Sequence, residues 1–136
     1  MTISISDNKI IRAIQDEFSA LFPYLKIEFF SKPHRVGGGT EKKYMKDSSA
    51  SIGKSRGQHN SGDIQISGEM TVAEVEKLFA TKYGLYVQVF RRSGKLWLET
   101  TATDSWTLKY QNEQGKELSS STMGGREEPL DYHEQE

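Results

Sequence analysis

The sequence predicts a single α+β domain, with a mostly antiparallel four-stranded sheet packed by two or three helices in the order α-β-(long loop)-β-α-β-β-α. Three observations carry that expectation. Residues 62–115 agree at every local level on one βαββα unit, and agreement across levels marks a well-specified fold. An amphipathic helix followed by an alternating strand fills the first 30 residues. Between these two blocks, residues 31–62 hold six glycines and six serines and almost no apolar side chains.

The elements follow in order. Ile10, Ile14, Phe18 and Leu21 fall at helical spacing, with Ile11 and Phe22 widening the stripe. Residues 7–22 therefore read as a helix that Ser6 or Asp7 caps and Pro23 ends. Residues 24–30 alternate Leu25, Ile27 and Phe29 against Lys26, Glu28 and Phe30, the pattern of a strand. The basic stretch at 32–62 then reads as a mobile loop, with a short strand extension around 42–45. Ile64 and Ile66 place a half-buried strand over 63–67. Thr71 opens the next helix with Glu74 three residues on, the reciprocal cap that satisfies orphan N–H groups. Met70 and Val75 stand where a hydrophobic staple forms, and Gly84 stops the helix.

Residues 85–92 and 95–100 read as a hairpin around Ser93-Gly94, which sets Phe90 opposite Trp97 and Val89 opposite Leu98. Residues 104–114 read as a last helix, capped by Thr103 or Ser105 and ended by Gly115, with Trp106 and Tyr110 one turn apart. The domain thus spans 1–118, and 119–136 is expected to be an acidic, disordered tail. Leu25, Ile27 and Phe30 line up with Leu85, Val87 and Phe90. That likeness reads either as an αββ duplication whose first hairpin is opened by the loop, or as the ordinary similarity of any helix followed by any strand.

Composition narrows the function classes. The chain has 136 residues, enough for one domain with a core. It has no cysteine, which excludes disulfides, thiolate catalysis and cysteine metal sites. No apolar run approaches the ~20 residues of a membrane span, and no signal-peptide pattern opens the chain, so a cytoplasmic protein without a membrane partner is expected. The net charge of −1 conceals a segregation. Residues 32–62 carry 7 bases and 2 acids, and residues 113–136 carry 2 bases and 7 acids.

That basic stretch supplies the first candidate site. Lys32, Arg35, Lys42, Lys43, Lys46, Lys54 and Arg56 would attract an anionic partner and speed its capture. Within it, Gly53-Lys54-Ser55 resembles part of a P-loop. However, Ser48 stands where the motif needs its first glycine, and Arg56-Gly57 follows where a helix should start. Glycine and serine N–H groups beside lysine and arginine suit a looser anion site. The second candidate is one face of the hairpin, where Tyr86, Phe90, Arg92 and Trp97 combine rings with cations as single-strand binding surfaces do. The same rings would equally serve as a second core under a covering helix.

Catalytic signals are sparse. His34, His59 and His133 lack metal-ligand spacing, no serine sits in a nucleophile elbow, and Glu74 and Asp104 are accounted for at helix starts. No cofactor or metal is expected. The leading expectation is a small non-catalytic interaction module that binds a protein partner through its sheet face or mobile loop. The alternative is a nucleic-acid or phosphate-ligand binder using the basic loop and hairpin aromatics. An enzyme with an unrecognised site stands third.

Overall fold

The computed structural model describes residues 1–33 and 42–121, with side chains to residue 119. Its elements are β1 (Thr2–Ile5), α1 (Ile11–Leu21), β2 (Leu25–Phe30), β3 (Gly62–Gln65), α2 (Val72–Tyr83), β4 (Tyr86–Ser93), β5 (Leu96–Glu99) and α3 (Leu108–Ser121). Short 3-10 turns lie at Lys42–Tyr44, Gly53–Ser55 and Thr101–Thr103. The expected α+β class is observed. In place of one four-stranded sheet there are two antiparallel ones, β1-β3 and β2-β4-β5. Their apolar faces and the three helices share a core. Ile3, Ile5, Ile64 and Ile66 meet Ile14 and Phe18 of α1, Val75 and Phe79 of α2, and Ile27 and Val89 of the larger sheet.

Local chemistry explains the best-defined element. Thr71 Oγ1 accepts from the Glu74 amide, and the Glu74 carboxylate accepts from the Thr71 amide, so the expected reciprocal cap opens α2. Gly84, at φ 66° and ψ 29°, closes the helix in the left-handed conformation that favours glycine.

Several expectations are corrected. β1 was not read from the sequence, and α1 begins at Ile11 with Ile10 at its N-cap, so neither Ser6 nor Asp7 caps it. The hairpin turns at Gly94-Lys95, one residue later than expected, with Gly94 at φ 63°. Glycine at the first central position of a two-residue turn is what the right-handed strand twist selects. The register accordingly slides so that Arg92 faces Trp97 and Phe90 faces Glu99. α3 starts at Leu108, runs through Gly115 to Ser121, and is capped by Thr107, whose Oγ1 accepts from the Tyr110 amide.

The stretch expected as a loop contributes to the core. Ile52 is fully buried, and Met45 bridges Phe30 at the outer edge of β2. The expectations for 119–136 and for Arg35 fall, beyond α3's last residues, outside the described residues.

The two halves of the chain repeat one hydrogen-bond pattern. The Lys9 amide donates to Ser6 O, and the Met70 amide donates to Ser67 O, both at 3.2 Å. At the start of α1 the amides of Ile11 and Arg12 donate to Ala50 O and Ser48 O. At the start of α2 those of Val72 and Ala73 donate to Trp106 O and Asp104 O. Ile52 and Gly53 donate back to Lys9 O and Asp7 O, as Leu108 and Lys109 do to Met70 O and Gly68 O. Ile10 bridges Ser51, and Thr71 bridges Thr107. Ser51 Oγ then accepts from the Lys54 amide, as Thr107 Oγ1 does from Tyr110. The alignment of Leu25 and Ile27 with Leu85 and Val87 thus extends to β1, β3 and the segments that follow each strand pair.

Candidate functional site

The halves diverge after that shared cap. In the second, the chain continues as α3. Gly115 packs so closely on Tyr24 and Arg91 that an added Cβ would meet Tyr24 Cβ at 2.9 Å and Arg91 Cγ at 3.1 Å. Asn112 Oδ1 accepts from the Tyr24 amide, and Arg91 donates to Gln111 Oε1. In the first half the turn stops at Ser55, and Arg56 is already extended at φ −150° and ψ 161°. A cleft of about 570 Å³ lies there, between Ser31 at the end of β2, Gly84 at the end of α2 and Tyr86 at the start of β4. Lys46, Lys54 and Arg56 also line it.

Arg56 builds the cleft wall. Its side chain is fully buried, and its guanidinium donates to Asp7 Oδ1 at 2.9 Å, Asn60 O at 2.6 Å and Tyr83 O at 3.1 Å. Gln58 and Asn60 side chains donate to Lys82 O, so this segment satisfies carbonyls that the end of α2 leaves open. The Arg56 guanidinium beside Asp7 holds that carboxyl below its ordinary range; partial burial opposes the shift, and His59, whose Nδ1 lies 2.9 Å from Asp7 Oδ2, adds to it. Arg56 Nε is buried without a hydrogen-bond partner.

The two lysines differ from Arg56. Lys54 is exposed and Lys46 half-buried, and neither has an ion pair among the described residues. No carboxylate lines the cleft among the described residues. The Gly53, Lys54 and Ser55 amides donate to Asp7 O, Ser51 Oγ and Ile52 O, so those three N–H groups are spent inside the fold and cradle no phosphate. Attraction in this cleft comes from side-chain cations.

The other candidates are dispersed. Lys32 and Lys43 lie 4.4 Å and 5.3 Å from the ring of Tyr44, and Lys42 is exposed in the same turn. Phe90 is fully buried, so no open stacking surface exists at that ring. Trp97 is half-buried between Lys26 at 5.1 Å and Arg92 at 5.2 Å, while Arg92 Nε donates to Gly94 O. The structure therefore gathers Lys46, Lys54, Arg56 and Tyr86 at one cleft and places Trp97 and Arg92 at the far end of the hairpin. Asp7, read as a cap, is the residue sequence reasoning missed. Its partner is 49 positions away, and no local pattern marks it.

No protein-family model matches the chain, no curated protein matches it, and no solved structure matches it. Among the described residues no helix is long and apolar enough to cross a membrane.

Proposed function

We propose that this chain is a non-catalytic cytoplasmic binding module that captures an anionic partner in the cleft between the ends of β2 and α2. One observation carries the reading. Lys46 and Lys54 converge without carboxylates beside them, on walls braced by a buried Arg56. Unpaired cations in a concave site raise the local concentration of anions and speed their association. Ser55 Oγ, the hydroxyl nearest that charge in sequence, donates to Ser51 O, which leaves it serving the turn rather than a reaction.

The exposed ring of Tyr86 favours a nucleic-acid form of the same reading, since bases stack on an aromatic face while cations hold phosphates.

The test is titration with oligo-dT and with a poly-glutamate peptide over a range of salt. Binding should weaken steeply with salt, and Lys46→Glu with Lys54→Glu together should lower the affinity about tenfold or more and flatten the salt slope. Charge reversal at Lys109, on α3 away from the cleft, should change little. Absence of binding to either polyanion at low salt refutes the reading.

A further inference from the structure

The repeated hydrogen-bond pattern says what shape the cleft accepts. Ile52 and Leu108 occupy matching places, each fully buried and each donating to the residue before an N-cap. From those points the polypeptide follows two courses. Beyond Leu108 it stays helical, and α3 crosses Tyr24 and Arg91, with Gly115 at the closest approach. Beyond Ile52 it leaves the helical path at Arg56. By the alignment of β2 with β4, Tyr24 and Arg91 are the counterparts of Gly84 and Ser31, and these two line the cleft. The cleft is therefore the place in the first half that α3 fills in the second.

We propose that the cleft is a docking seat for an acidic α-helix of a partner protein, which lies across Gly84 and Ser31 as α3 lies across Tyr24 and Arg91. The inference rests on the anion-binding reading and adds the form of the ligand. Size agrees: a helix about 10–12 Å across rises 5.4 Å per turn, so one turn with its side chains fills on the order of 500 Å³. The cleft offers about 570 Å³. Charge selects the sequence of that helix. Lys46 and Lys54 call for carboxylates one turn apart, at the i, i+3 or i, i+4 spacing that puts them on one face. A glycine or alanine between them would allow the close approach that Gly115 makes in α3. Helix-in-groove recognition works in this way, through a few side chains at helical spacing.

A pair of peptides tests shape separately from charge. The first is a covalently stapled helix of about 16 residues, long enough for stable turns, with glutamates at i, i+4 and i+7 around one alanine. The second has the same composition with a central proline substitution and no staple. Both are titrated against the full chain by calorimetry and by amide chemical shifts, beside oligo-dT. The stapled helix should bind about tenfold tighter than its non-helical isomer, shift the amides of Ser31, Gly57, Gly84 and Tyr86, and lose its affinity in the Lys46→Glu, Lys54→Glu variant. Equal affinity of the two peptides overturns the helical seat and leaves the anion-binding reading standing. Tighter binding of oligo-dT than of the stapled helix also overturns it, in favour of a nucleic acid. Failure of both peptides and of oligo-dT to bind overturns the inference and the reading beneath it together.

Discussion

Two regions built on the same backbone pattern end differently. After Leu108 a helix is pressed onto the sheet so tightly that only glycine fits at position 115. After Ile52 a single 3-10 turn gives way to Arg56 and Gly57, and an added Cβ at Gly57 would meet nothing within 4 Å. The first arrangement completes a core; the second leaves a concave, charged surface. The difference lies in what satisfies the polar groups at the end of a helix. Asn112 on α3 serves Tyr24 after α1, whereas Arg56, Gln58 and Asn60 serve the last carbonyls of α2 from an irregular segment. Binding surfaces arise where a scaffold is held rigid while one connection is left open.

The sharpest way to break the comparison is at its shared anchors. Ile52→Ala and Leu108→Ala remove fully buried side chains at matching places, and each should cost about 2–5 kcal/mol. Urea denaturation checks both. A cost near zero for Ile52→Ala alone would mean that the first half is not held to the core as the second is.

Next in size is Gly115→Leu. The substituted side chain must displace Tyr24 and Arg91, and overpacking of this kind costs about 1–3 kcal/mol. Thermal melting would read it, and an unchanged melting temperature would show that α3 lifts away without penalty and that the second seat is not tightly filled.

Arg56→Ala probes the open seat. It leaves Tyr83 O and Asn60 O without their donors, a loss of about 1–3 kcal/mol for buried partners. It also removes the pH dependence tied to Asp7. In the folded chain that carboxyl is held below its usual value of 3.8, chiefly by its hydrogen bond from Arg56. A depressed folded pKa means the unfolded chain takes up the proton first as pH falls. The stabilisation is therefore complete above the ordinary carboxylate value and is lost as pH drops through that value to the folded one. In the native chain stability should decline over that acid window; in Arg56→Ala the decline should be shallower. Parallel slopes for the two proteins would show that Asp7 does not depend on Arg56.

Much of this was legible in the sequence, and the rest was hidden for identifiable reasons. Thr71, Glu74 and Gly84 act within one helix, so their roles could be read from local spacing. Charge is a sum, so the basic character of 32–62 was plain before any contact was known. β1 escaped because four residues with two isoleucines carry too little periodicity to be told from coil. The hairpin register depended on which of two adjacent turns forms, and the choice fell to the glycine at the first central position. Ile52 was one isoleucine among polar residues, and only its partner at Lys9 O brings it inside. Phe90 and Trp97 share a strand face, yet one is buried and the other half-buried, a distinction alternation does not make. The cleft joins the ends of β2, α2 and the 53–58 segment, which are neighbours only after folding.

The smallest expected effect is the most discriminating about open space. Gly57 lies at a backbone conformation that other residues adopt, with no atom near an added methyl group. Alanine at such a site restricts the unfolded chain and leaves the folded one unstrained, which stabilises by about 0.4–1 kcal/mol. Gly57→Ala should therefore raise the denaturation midpoint slightly, opposite in sign to the change at Gly115. The slope of unfolding against urea should stay the same, since a change there would signal altered compactness rather than stability. If Gly57→Ala destabilises instead, the segment beyond Arg56 is packed against something on that side, and the first seat is closed rather than open.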